Sequence, residues 1–245
     1  MESRDDLSVE LASLYNQVGQ PEDALKVLLS RRFQPWEGGE GLVLSQYVRA
    51  NLLLGQQALA RKDAPTAIYR FEAAWNLPEN IGEAKHLLMN LSMIDYWLGV
   101  AYSANQDKAR AIFHWERAAK YRGDFQQMQV HSISDITYWS AQALVSLGRY
   151  EEARQMFRKI YDYSLHLERQ TQKIDYFATS LPAMLLFEED QVRRQEISAK
   201  FLRAQALLGL DQAEQGLALL NEVRSLDENH PGAADLLTTI ETVVS

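Results

Sequence analysis

The sequence predicts an all-α fold: one right-handed helical-repeat solenoid of about five helix pairs, ended by a C-terminal capping helix. Three observations lead there. Small residues suited to the buried face of a second helix recur at Ala24, Ala67, Ala111, Ala153 and Gly216, with spacings of 43, 44, 42 and 63 residues. Self-similarity at a period of this size marks stacked helix pairs. Around these positions, apolar and small residues return at the three- and four-residue steps of a helix. Finally, 245 residues, 47% hydrophobic and 24% charged, are enough for a continuous core,, and no run reaches the roughly 18 apolar residues of a membrane span,.

The first pair is carried by Leu11-Ala12, Tyr15, Gly19, Ala24 and Leu28, and Pro21-Glu22-Asp23 starts its second helix. Proline lacks an N–H that a first turn does not need, and carboxylates suit the positive helix end. Leu7, Leu11, Leu14 and Val18 form one apolar stripe with no evident neighbour within the chain,. Phe33 to Gly41, with one proline and three glycines, is a connection,. The second pair holds Leu54-Gly55, Ala58, Ala67, Phe71 and Ala74, with Asp63-Ala64-Pro65 opening its second helix and Pro78 closing it. In the third, Asp95 to Tyr102 is followed by Ala111, Trp115 and Ala118. Ala84, Leu87, Leu88, Leu91 and Ile94 have helical spacing, so the first helix of this pair is expected to extend backwards through Ile81–Met93,.

The fourth pair contains Ala141, Leu144, Gly148, Ala153 and Phe157. Pro182 then interrupts any single helix through Ile174–Pro182, and the long 63-residue interval is read as an extra helix or partial repeat over 170–190 followed by a long helix near Asp190–Leu210,. The fifth pair, with Ala204, Leu207, Gly216 and Leu220, is the loosest. After Asn229-His230-Pro231 comes the capping helix, with Leu236, Leu237, Ile240 and Val243 on one side and Asp235, Thr238, Glu241 and Thr242 on the other. The chain is thus read as a single domain, with repeats at about 4–31, 42–77, 82–121, 132–166 and 191–228 and the cap at 231–243.

The Leu-Gly, aromatic, Ala, aromatic, Ala order at Leu98-Gly99, Tyr102, Ala111, Trp115 and Ala118, repeated from Leu54-Gly55, resembles the tetratricopeptide repeat. That family usually has a period of about 34 residues; the longer period here also suits HEAT-type helix pairs, and the Leu-Gly and Ala positions favour the tetratricopeptide reading. Arg31–Gly41, Pro78–Glu83 and Ile174–Pro182 further resemble the C-terminal repeat region of large bacterial proteins that carry an N-terminal mutarotase-like domain of unknown function. That resemblance implies a piece cut from a larger bacterial protein. A chain without cysteine, whose acidic start lacks the basic region of a secretory signal, fits a cytoplasmic setting,.

Chemistry is sparse. There is no cysteine, and His86, His114, His131, His166 and His230 form neither an i, i+4 pair nor an HExxH,. Phosphate-loop, dinucleotide and nucleophile-elbow motifs are absent. Glu188-Glu189-Asp190 are neighbours on one turn and do not face each other as a catalytic pair must,. The net charge is -8, concentrated in the C-terminal half, which disfavours nucleic acid,. Neither a cofactor nor a membrane partner is expected.

The resemblance implies that first helices line a concave face. Arg49, Gln56, Tyr96, Tyr138, Gln142, Phe201 and Gln205 stand at positions that face a ligand there, whereas Trp97, Tyr102, Trp115 and Phe157 stand at packing positions. The family's carboxylate-clamp residues for chaperone tails are missing, with Val9, Ser13 and Leu53 at three of those positions. The expected function is a non-catalytic protein-interaction scaffold that holds a peptide, a partner protein or an upstream domain of the same protein, or that forms a homodimer through Leu7, Leu11, Leu14 and Val18. The alternative is an accessory helical domain of a carbohydrate-active enzyme whose catalytic residues lie outside this chain.

Overall fold

The computed structural model describes residues 4–34, 39–126, 129–169 and 188–244. Among them are eleven α-helices, ten of which form five antiparallel pairs: α1 (Asp5–Gln17) with α2 (Pro21–Leu29), α3 (Leu42–Ala60) with α4 (Ala64–Trp75), α5 (Ser92–Ala104) with α6 (Lys108–Lys120), α7 (Thr137–Ser146) with α8 (Tyr150–Arg169), and α9 (Glu188–Gly209) with α10 (Ala213–Leu226). The first helices α1, α3, α5, α7 and α9 lie side by side as an inner layer, while each second helix packs against its own partner and the first helix that follows. This is the all-α solenoid expected. The partial repeat expected at 170–190 falls almost entirely outside the described residues.

One turn joins the two helices of every pair. Gly19, Lys62, Gln106, Gly148 and Asp211 have φ between 61° and 76°, and each stands two residues before its second helix. The next N–H reaches back five residues: Gln20 to Tyr15 O, Asp63 to Ala58 O, Asp107 to Tyr102 O, Arg149 to Leu144 O and Gln212 to Leu207 O, all at 2.8–2.9 Å. This is the Schellman ending, which satisfies carbonyls left open at a helix C-terminus. Asp63 and Asp107 then cap their second helices by accepting from Thr66 N and Arg110 N,.

Within the second and third pairs, and between α8 and α9 where the fourth pair meets the fifth, a large ring lies on bare helix backbone. A Cβ built on Gly55 would stand 2.2 Å from the Phe71 ring, one on Gly99 2.4 Å from Trp115, and one on Gly209 2.3 Å from Phe157. Ala58, Ala67, Ala74, Ala101, Ala111, Ala118, Ala141 and Ala153 are at most 1% exposed around these contacts. Small residues therefore set how closely the helices approach, and aromatic rings fill what the approach leaves.

The backward extension of α5 is not formed. A 3-10 turn, Glu79–Ile81, ends at Gly82 in the left-handed region, and the chain runs irregularly to Leu91, with Leu87 98% exposed. Its polar groups find partners across the fold instead of along a helix. Phe33 N donates to Asn80 O, and Asn80 Nδ2 donates to Leu28 O and Arg31 O at 2.8 Å each. Lys85 Nζ donates to the α4 carbonyls of Ala74 and Trp75, and Phe125 N donates to Leu88 O. Burial lowers the Lys85 pKa to about 8. Beside this segment lies a feature that the sequence reading did not anticipate, a hairpin of β1 (Asp124–Gln126) and β2 (Gln129–His131).

The last helix, α11 (Pro231–Val244), also departs from expectation. It packs on α10 but reaches across the inner layer to α3. Asp235, read as part of the capping helix's polar side, forms a bidentate ion pair with Arg49 of α3, at 2.9 Å from Nε and 2.8 Å from NH2. Gln17 at the end of α1 likewise donates to Asn229 O. The solenoid curls far enough for its end to meet its beginning.

The ring-on-glycine contact has a test. Helix propensity alone favours alanine over glycine by about 1 kcal/mol, whereas overpacking a filled site costs about 1–3 kcal/mol. Gly99→Ala is therefore expected to lower the melting temperature, and a rise would show that Trp115 can move aside.

Candidate functional site

Where α11 crosses the inner layer it encloses a cavity of about 340 Å³. The length of α3 forms one wall: Leu44, Val48, Leu52 and Leu53 alternate with Ser45, Arg49 and Gln56 at helical steps,. The irregular segment before α5 contributes Met89, Asn90 and Leu91, and the hairpin contributes Asp124 and Phe125. Trp139 comes from α7, Phe201 and Gln205 one turn apart from α9, and Gly232, Asp235, Leu236 and Thr239 from α11. Apolar walls with a few convergent polar groups are the usual composition of a binding cavity.

Asp124, 2% exposed, organises the floor. Its carboxylate accepts from Asn90 N at 2.7 Å and from Ser134 Oγ at 2.9 Å. Ser134 N in turn donates to Thr137 Oγ1 at the start of α7. One buried acid thus ties the irregular segment, the hairpin and α7 together, which places Phe125 and Trp139 beside one another's elements. On the opposite side, Gly232 lets α11 sit on α9, since a Cβ there would be 2.7 Å from the Phe201 ring. His230 lies against that ring at 4.7 Å between centroids. Its Nδ1 accepts from Ala233 N at 3.1 Å and so caps α11,. Burial pushes the His230 pKa down, against the pull of Asp227, Asp135 and Asp235.

Four of the seven residues expected at a ligand face line this cavity: Arg49, Gln56, Phe201 and Gln205. Arg49 is engaged by Asp235, with 11% of its side chain exposed. Phe201 is 4% exposed. Gln205 is 2% exposed; its Nε2 donates to Asp135 O at 3.0 Å, and its Oε1 has no hydrogen-bond partner. The other three are not part of it. Tyr138 is only 6% exposed, packed 5.8 Å from Phe157, and its hydroxyl accepts from Gln142 Nε2 at 2.6 Å. Burial raises the Tyr138 pKa. Tyr96 is half-buried between Trp97 and Trp139, with centroids at 5.4 and 5.1 Å. The expectation of an open aromatic face at Tyr96 and Tyr138 is corrected: Trp139, one residue on, takes the cavity position, and the 100° step between neighbours turns Tyr138 into the α7–α8 interface.

Trp139, Phe125, Asp124 and Asp235 were missed. Trp139 follows Tyr138 in the same helix, so a one-residue shift of the repeat register points to it,. Asp124, Phe125 and Asp235 carry no local signal, because distant segments bring them to the cavity. Elsewhere, Asp95 is fully buried on α5, 2.8 Å from His114 Nδ1 and 3.4 Å from Arg117 Nε. His114 is therefore part of an interhelix polar contact. Among the described residues no group of three or more His, Cys, Asp or Glu could hold a metal ion, and no helix is long and apolar enough to cross a membrane.

Comparison with known proteins agrees with the repeat reading over part of the chain. Residues 135–165, spanning α7 and most of α8, match the tetratricopeptide-repeat family. A crystal structure of YrrB, described as a TPR protein with an unusual peptide-binding site, is 14% identical over 94% of this chain and 90% of that one, with a TM-score of 0.30. A putative kinesin light chain from Podospora anserina with nearly identical TPR-like repeats is 17% identical over 92% and 96%, with a TM-score of 0.37. The fold assignment rests on the helices of this chain and not on these superpositions.

The His230 cap makes α11 sensitive to pH. Its folded pKa lies below the ordinary 6.5, so the fold favours neutral imidazole; the stability it supplies is complete above 6.5 and declines as pH falls through the lowered folded value. Amide exchange in α11 should accelerate, beyond the intrinsic change, between about pH 7.5 and about pH 5. In His230→Asn, which keeps an acceptor at the cap but does not titrate, that extra change should vanish. Equal pH responses in the two proteins would rule the cap out as its source.

Proposed function

We propose that this chain is a non-catalytic interaction module that holds a segment of a protein partner in the cavity between α3, α7, α9 and α11. The observation that supports this reading is the cavity itself: a concavity on the inner layer, walled by apolar side chains from α3, α5, α7, α9 and α11 and by few polar groups,. A repeat scaffold presents its inner helices to ligands in this way. The test is selection of peptides from a displayed random library on the pure chain. Selected peptides should bind at least tenfold more weakly to Ser45→Trp and Val48→Trp, which fill the α3 wall from its exposed and half-buried positions, with helix content unchanged. Peptides that bind these variants undiminished would move the site elsewhere.

A second surface belongs to the proposal. Leu7, Leu14 and Val18 are 44%, 49% and 67% exposed along α1, while Val9 and Ala12 on its other side are buried. An apolar row at the edge of a repeat array is unfavourable in water and suits a second copy or an adjoining domain. Self-association through this row should appear in sedimentation and be weakened by Leu14→Glu without loss of helix content. A unaltered chain that stays monomeric at high concentration would remove the homodimer and leave the row to another partner.

A further inference from the structure

Inside the cavity the charged groups are already engaged within the protein. Arg49 and Asp235 hold each other in a bidentate pair. Asp124 accepts from Asn90 N and Ser134 Oγ, and neither it nor Asp135 is free. Among the uncharged polar groups, Ser45 Oγ donates to Leu42 O, Thr239 Oγ1 to Asp235 O and Asn90 Nδ2 to Gly123 O. Gln205 Nε2 donates to Asp135 O, and its Oε1 is buried out of a ligand's reach. A charged group entering here would shed its water and meet no free counter-charge, which is costly. What remains of the wall, the uncharged Gln56 amide apart, is apolar or aromatic, with Val48 and Leu52 from α3, Phe125 from the hairpin, Trp139 from α7 and Leu236 from α11.

Size narrows the choice further. A buried apolar cavity of about 150 Å³ takes up benzene, and this one measures about 340 Å³, room for two fused rings. Trp139 and Phe125 on its wall favour another ring, which can meet them edge-on or offset,. We propose that the cavity seats an uncharged two-ring anchor, the indole of a tryptophan in the partner segment. This rests on the reading of the cavity as the site that holds such a segment, and names the residue that it selects. Tryptophan offers a large contact area for two torsions frozen. An acidic or basic anchor finds no free counter-charge, and an aliphatic or one-ring anchor leaves part of the volume without contacts.

The test reads the anchor from the peptides selected on the unaltered full chain, which should share one tryptophan. Replacing that tryptophan by naphthylalanine, another uncharged two-ring side chain, should keep the affinity within about threefold. Leucine, glutamate or lysine in its place should each weaken binding at least about tenfold, as loss of a buried aromatic anchor does. Val48→Phe takes up part of the cavity, and on it the order should reverse, the leucine peptide binding more tightly than the tryptophan peptide; mere damage to the fold would weaken both. Should Val48→Phe fail to fold, calorimetric titration of the unaltered chain decides. There 3-methylindole, the tryptophan side chain by itself, should bind at least about tenfold more tightly than toluene, and than indole-6-carboxylate or 6-(aminomethyl)indole, which carry a charge on the ring. Selected peptides that share no tryptophan, a glutamate or lysine replacement that binds undiminished, an unreversed order on folded Val48→Phe, or toluene as tight as 3-methylindole overturns the proposal. If selected peptides bind and are lost on Ser45→Trp but share no tryptophan, the anchor falls and the interaction reading stands; if no peptide binds, both fall.

Discussion

The close contact of a large ring with a helix glycine governs this structure. Phe71 on Gly55, Trp115 on Gly99 and Phe157 on Gly209 leave no room for a single methyl carbon, so in each case two helices are held at one separation by an aromatic ring meeting bare backbone. The alanines on either side permit the approach, and the common left-handed turn at Gly19, Lys62, Gln106, Gly148 and Asp211 returns the chain at the same point of each pair. The turn makes the five pairs alike, and the contact sets the helix separation within the second and third pairs and between the fourth and the fifth. Likeness of the pairs is what allows a regular inner layer to curve.

Curvature brings α11 to α3, and there an ion pair registers the closure. Arg49 and Asp235 are 186 residues apart and share two hydrogen bonds with most of the arginine side chain buried. Desolvation offsets much of the attraction in such a pair, so its principal effect is placement: a paired Arg49 and Asp235 position α11, while either group alone would be an uncompensated charge at a half-buried site. The tight seat of Gly232 on Phe201 and the cap made by His230 hold the same N-terminal turn of that helix. The cavity exists because the start of α11 is fixed there.

Much of this was legible in the residues. The five pairs, the starts of α2 and α4 at their proline-bearing turns and the long helix near α9 follow from periodicity and turn chemistry, and the packing roles of Trp97, Tyr102 and Phe157 from the repeat register. The site was half legible. Arg49, Gln56, Phe201 and Gln205 were placed by the repeat register, but Tyr138 and Trp139 differ by one position, and a one-residue error in register exchanges a core residue for a cavity residue. The segment 82–91 misled because its leucines have helical spacing. Gly82 in a left-handed conformation, with the backbone and side-chain bonds of Asn80, Lys85 and Asn90, holds that segment out of a helix.

The sequence by itself determined the helix pairs, their turns and their small-against-large packing, since each of these depends on residues within one or two helical turns or on a neighbour in the same pair. Only the tertiary structure decided the cavity: the bend that brings α11 against α3, the hairpin that seats Asp124, and the bond from Gln205 to Asp135 O. Those features arise from contacts 34 to 186 residues apart. Whether such contacts form depends on the accumulated small rotations between successive pairs, and no local pattern of residues encodes that sum.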